Sequence, residues 1–215
     1  MPKLKPAIQQ ARRDHILNAA EQCFARAGFH RTTVQDICKE AGISPGAIYV
    51  YFDSKEALIA GICERERAEF GERLVALADA PDFLQAMREL GEHYFVHQPV
   101  YKSQLCLEIG LESTRNPRVG ELHRSVDEFI SAGFERLFQR LRHEGRIAPD
   151  MDIPTLAKVV SVLGDGLFWR RVVDPSFDGR TLVPATLQVL AGLLKPVSQA
   201  MPESEAESPS RGERS

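Results

Sequence analysis

No stretch of this 215-residue chain is long and apolar enough to cross a membrane. The N-terminal run MPKLKPAIQQARRD also lacks the hydrophobic block of a secretory signal, so a cytoplasmic protein is the expectation. Cysteine is sparse: Cys23, Cys38, Cys63 and Cys106 are widely spaced and form no CxxC pair, and three of them lie on apolar helix faces, which suits reduced, buried thiols. There is no nucleophile–base pair, phosphate-cradling glycine loop or metal-ligand cluster, so no catalytic residue, cofactor or metal is assigned. His93 and His97, with Glu89 one turn earlier, share a helical face. They lack a further ligand, and the intervening Tyr94 and Phe95 favour packing. Strand-like alternation and internal repeats are absent too.

What remains is helical punctuation. Hydrophobic residues make up 43% of the chain and charged residues 27%, enough to bury a sizeable core. Apolar spacing predicts an all-α fold of about nine helices, the first from Gln10 to Ala27 with Gly28 as its stop. A long fourth helix begins at Ser54 and breaks at Asp79–Pro81. Further helices are expected over Pro81–His97, Val100–Arg115, Asn116 to His143, Ile153–Val173 and Thr181–Leu194. Residues 1–9 read as a flexible arm, 10–56 as a three-helix N-terminal domain and 57–195 as a helical body. The Pro/Ser/Glu-rich stretch 196–215 reads as disordered.

The most specific signal lies between Phe29 and Leu58. Thr33 caps a helix that places Val34, Ile37, Cys38 and Ala41 on one face, and Gly42 supplies its left-handed end. Ser44 then caps a helix with Pro45 at its first position. Ile48 and Phe52 belong to the core, whereas Gly46, Ala47, Tyr49 and Tyr51 stand outside the apolar pattern. Two short helices around a glycine turn, with small residues and tyrosines outward, form a helix-turn-helix suited to a DNA major groove. Ala47 could touch a thymine methyl, Ser44 or nearby backbone N–H groups a phosphate, and Gln35 an adenine or the backbone. Thr33 joins Gln35 on the supporting helix. Charge agrees. Residues 1–55 hold eight Lys/Arg against five Asp/Glu, a balance of +3, and the remainder nineteen against twenty-five, or −6.

The run TTVQDICKEAGISPGAIYVYFDSKEAL, with the preceding helix ARRDHILNAAEQCFARAGF, resembles the DNA-binding signature of the TetR/AcrR family of bacterial regulators. The likeness is close over roughly residues 10 to 60 and weaker beyond, where DGLFWRRVVDP is similar to the C-terminal part of many members. It implies a homodimeric repressor that binds a palindromic DNA operator and is released by a small-molecule inducer. By resemblance, Tyr49 and Tyr51 take phosphate or base-edge roles and Lys55 clamps a phosphate. Val50 departs from the pattern, standing where relatives often carry a larger polar side chain.

In the body, aromatic and methionine residues interleave with polar ones. Met87, Tyr94, Tyr101, Leu105, Ile109, Phe129, Asp165 and Trp169 are the candidate ligand-binding residues for a largely apolar inducer. His93, Glu108 and Glu112 are further candidate orienting groups. Asp165 sits among Leu163, Gly164, Gly166, Leu167 and Phe168, so burial would require a partner, in the pocket or across a dimer. The last two helices are apolar on more than one face, which predicts a four-helix dimer interface. A ligand-independent architectural DNA-binding protein, which would have no cavity, and a helical enzyme are the competing readings.

Overall fold

The computed structural model describes residues 6–197. Nine α-helices run in order among them: α1 (Pro6–Ala27), α2 (Val34–Ala41), α3 (Pro45–Tyr49), α4 (Lys55–Asp79), α5 (Phe83–Glu92), α6 (Val100–Ser113), α7 (Pro117–His143), α8 (Ile153–Val173) and α9 (Gly179–Leu194). Helix α1 starts four residues before the expected Gln10, so residues 6–9 are its first turn and not part of an arm. Residues 1–5 and 198–215, which hold the rest of the expected arm and tail, lie outside the described residues. Pro196 and Val197, assigned to the tail, are bonded: Pro196 bridges to Ile147, and Val197 N–H donates to the Arg146 carbonyl at 2.9 Å.

Local chemistry sets the helix ends. Asn116 accepts from the amides of Arg118 and Val119 before Pro117, and Asp152 accepts from Thr155 N–H before Pro154. After α5 the chain does not continue as ordinary α-helix. Residues His93–His97 form a π-turn, closed by Gln98 N–H donating to the His93 carbonyl. Arg171 of α8 holds this turn, donating to the carbonyls of Tyr94 and Gln98 and to Ser103 Oγ. The periodicity over Pro81–His97 is that of one helix. The distortion comes from a guanidinium far away in sequence that collects the freed carbonyls.

Two buried clusters organise the molecule. One joins α1, α2 and α3 to the first turns of α4 through Leu17, Phe24, Ile37, Ile48, Leu58 and Ile62, and takes in Leu105 of α6 and Val119 of α7. The other joins the end of α4 with α5, α7, α8 and α9 through Leu74, Leu77, Met87, Phe138, Leu156 and Leu194. Helix α4 packs along α7, and a Cβ on Gly133 would meet the Leu74 side chain at 2.5 Å, so a larger residue there would have to turn Leu74 aside.

Candidate DNA-reading face and internal cavity

In α2, the Thr33 hydroxyl accepts from Asp36 N–H and the Asp36 carboxylate accepts from Thr33 N–H, a reciprocal cap. Gly42 ends the helix at φ 65°, and the His15 ring bonds the Ala41 carbonyl at 2.8 Å, bracing the turn from α1. Thr32, fully buried, donates to the carbonyls of Cys23 and Gly28 and fixes the loop before α2. Helix α3 has only five residues and buries Ile48. Ser44 makes no side-chain cap, which leaves its hydroxyl free beside Pro45.

This scaffold leaves Thr33, Gln35, Ser44, Pro45, Gly46, Tyr49 and Val50 exposed and Ala47 half-buried. Tyr49 and Val50 are the most outstanding of these, at 57% and 77% exposure. Tyr51 differs, being half-buried against the first core cluster. Lys55 differs more. Its ammonium donates to the carbonyls of Phe29 and Thr32, at 2.6 and 3.1 Å, and lies over the Phe29 ring. The expected phosphate clamp is thus directed inward, because the loop after α1 ends in unpaired carbonyls within its reach.

Between the two clusters lies a cavity of about 320 Å³, walled by α4 to α9. Met87, Tyr94, Leu105, Ile109 and Asp165 border it, as their spacing predicts. Tyr101, Phe129 and Trp169 do not. At about 100° of rotation per residue, each sits roughly a quarter to a third of a turn away from the cavity face of its helix. Phe129 packs at Gly71, and Trp169 is 52% exposed on the outer side of α8. His93, Glu108 and Glu112 are also elsewhere. His93 pairs with Glu69, Glu108 accepts from Phe29 N–H at 2.6 Å, and buried Glu112 meets His30 at 2.9 Å.

Several wall residues escaped the sequence reading. Helix α4 contributes Ile62, Cys63, Glu66, Arg67 and Phe70, a second stripe at helical spacing that could have been recognised. Lys102, His123, Asp127 and Phe168 complete the polar and aromatic parts. Asp165 and Asp127 carry no hydrogen bond from another side chain or from the backbone among the described residues. Asp165 is exposed and not buried as expected; partial desolvation at the cavity edge, and secondarily the neighbouring Asp127, push its carboxyl upward, with His123 opposing. Cys63 and Cys106 also border the cavity; burial pushes the Cys63 thiol up to about 11, away from the reactive thiolate, whereas Cys106 is exposed. No group of three or more metal-capable side chains, and no helix long and apolar enough to cross a membrane, occurs among the described residues.

Residues 16–62 match the family model described as bacterial regulatory proteins, tetR family. The HTH-type transcriptional regulator UidR of Escherichia coli strain K12 is 32% identical over 169 residues, spanning 74% of this chain and 80% of UidR. The HTH-type transcriptional repressor AcnR of Corynebacterium diphtheriae is 27% identical, over 79% of this chain and 86% of AcnR. The solved structure of Salmonella enterica GusR superposes with a TM-score of 0.71 at 29% identity, covering 90% of this chain and all of that one. With the helix-turn-helix, the helical body and a likeness to UidR over 74% of this chain all in agreement, the chain belongs to the TetR family of transcriptional regulators.

Proposed function

We propose that the chain is a homodimeric repressor that reads a two-fold symmetric operator and leaves it when a small, largely apolar molecule fills the cavity. The observation that carries this reading is the double use of α4. Ile62 and Cys63 belong to the core beneath α2 and α3, and the same two residues border the cavity together with Glu66 and Phe70. A ligand that binds better to one pose of α4 therefore biases the spacing of the two readers in a dimer. A few kcal/mol of such bias is enough to empty an operator.

The exposed residues Thr33, Gln35, Ser44, Pro45, Gly46 and Tyr49, with Ala47 and Tyr51 at the edge, are the proposed DNA contacts. Gly46 meets nothing at its Cβ position, so a base edge can approach its backbone closely. Support for the dimer comes from exposed apolar stripes: Val162, Trp169 and Val173 on α8, and Leu182 and Val189 on α9. Its place of action is the cytoplasm, beside the DNA.

Gel-shift titration against DNA from the gene's own upstream region tests the reading. Binding should be specific and strongly salt-dependent, because the operator contact is largely electrostatic. Equal competition by a scrambled duplex at physiological salt would overturn it.

A further inference from the structure

Glu21 lies on α1, within the DNA-reading module, and is 0% exposed. Two cations from other helices reach it. Arg65 of α4 donates to Oε1, and Lys102 of α6 lies 2.9 Å from Oε1 and 2.8 Å from Oε2. The same Lys102 ammonium meets Glu66 Oε1 of α4 at 2.6 Å. Lys102 and Glu66 form part of the cavity wall, whereas Glu21 and Arg65 do not border it. Lys102 thus stands with its charge on the reader and its flank on the space a ligand would fill.

We infer that the Lys102–Glu21 pair transmits cavity occupancy to the reader: a molecule lodged beside Glu66 draws or pushes Lys102 off Glu21, and α1 shifts with its unpaired carboxylate. This deepens the repressor reading and rests on it for its biological meaning. A carboxylate with no access to water depends on its partners for charge compensation. Removing one therefore disfavours the pose in which it remains buried. Arg65 alone is left to hold Glu21, and Arg65 also has Asn18 and Asp14 on α1 to satisfy. Burial works against the charge on Lys102, but Glu66 and Glu21 outweigh it and its proton is held more tightly than usual. Lys102 therefore keeps its charge throughout the neutral range. Helix α6 adds two attachments to the loop that α1 leads into, from Glu108 to Phe29 N–H and from Glu112 to His30, so a displaced α6 moves with that loop.

The test is hydrogen exchange on the full chain with and without saturating N-phenyl-1-naphthylamine, a neutral apolar fluorophore used as the cavity probe. In the wild-type chain, probe binding should change exchange in α1 around Glu21 and in α2 and α3. Glu21→Gln, away from the cavity wall, should bind the probe comparably yet reduce that change about tenfold; Lys102→Met, compared at probe saturation, should reduce it likewise, and the double variant should equal either single one. If either single variant unfolds, the milder Glu66→Gln, at a partly exposed position, and Lys102→Arg take its place, the first weakening and the second preserving the response. The inference is overturned by an undiminished response in the variants, or by no response in a wild-type chain that demonstrably holds the probe. The readout needs no DNA. Failure of specific operator binding alongside an intact exchange response would sink the repressor reading and leave the Lys102 link standing.

Discussion

Lys55 grips the loop ahead of the reader through Phe29: its ammonium is 2.6 Å from the Phe29 carbonyl and 4.4 Å from the centre of that ring. A cation bonded to two carbonyls and seated on an aromatic face is a structural tie. Lys55→Met should therefore lower stability by about 2 kcal/mol, the range for hydrogen bonds to a charged group. The salt slope of operator binding should stay as it is. Thermal melts with gel shifts at several salt concentrations check this. Unchanged melting, with a slope reduced by about one counterion, would return Lys55 to the phosphate backbone.

Tyr49 makes the complementary case. It is 57% exposed and its hydroxyl bonds to no other part of the chain among the described residues. Tyr49→Phe should weaken operator binding by about 1 kcal/mol, one neutral hydrogen bond, and leave the melting temperature within error. Equal operator affinity in this variant would remove Tyr49 from the contact surface. Tyr51→Ala should behave differently, since the Tyr51 ring is packed against the core and its loss is read first in stability.

The elements of the reader were legible because they are set locally. The Thr33 cap, the Gly42 stop and the Ser44-Pro45 start are each fixed by neighbours a few residues away, and all fall at their expected positions. The cavity was legible only by face. Met87, Leu105 and Ile109 were found from helical spacing, but Tyr101, Phe129 and Trp169 were chosen for being aromatic, and their helices turn them elsewhere. The π-turn at His93–His97 was invisible because its cause, Arg171, is more than seventy positions away. Lys55 was misplaced for a related reason. The family resemblance supplies a role for the residue type, whereas the free carbonyls of Phe29 and Thr32 are a property of the folded loop.

The outer stripes of α8 and α9 lead to a prediction about assembly. Val162, Trp169 and Val173 recur at intervals of seven and four along α8, and Leu182 and Val189 at seven along α9. Val162→Glu combined with Val189→Glu should convert the dimer to monomer in sedimentation experiments. Operator affinity should fall at least about tenfold, because two half-sites must be engaged together. A dimer that survives both charges would place the interface on another face.

The last prediction concerns acid and the cavity. Asp165 borders the cavity beside Asp127 with its side chain exposed, and His123 alone opposes the two causes that raise its carboxyl. Its folded carboxyl titrates above the ordinary value of 3.8, so the folded state binds the proton more readily than the unfolded chain does. At neutral pH the ionised group is therefore a small burden on the fold, because solvent screens the charge of an exposed side chain. That burden lifts as pH falls through the raised folded value, and it has vanished below the ordinary one. Asp165→Asn, which removes the charge at every pH, should melt higher than wild type at pH 7. The advantage should shrink steadily as the buffer is taken into the acidic range. Asp127→Asn should give a smaller gain with the same sign, by removing the second cause of the shift. Melting curves of the three proteins across that range decide the matter. A difference that stays constant with pH would mean that the Asn variants act through packing, and that the Asp165 charge does not weigh on the fold.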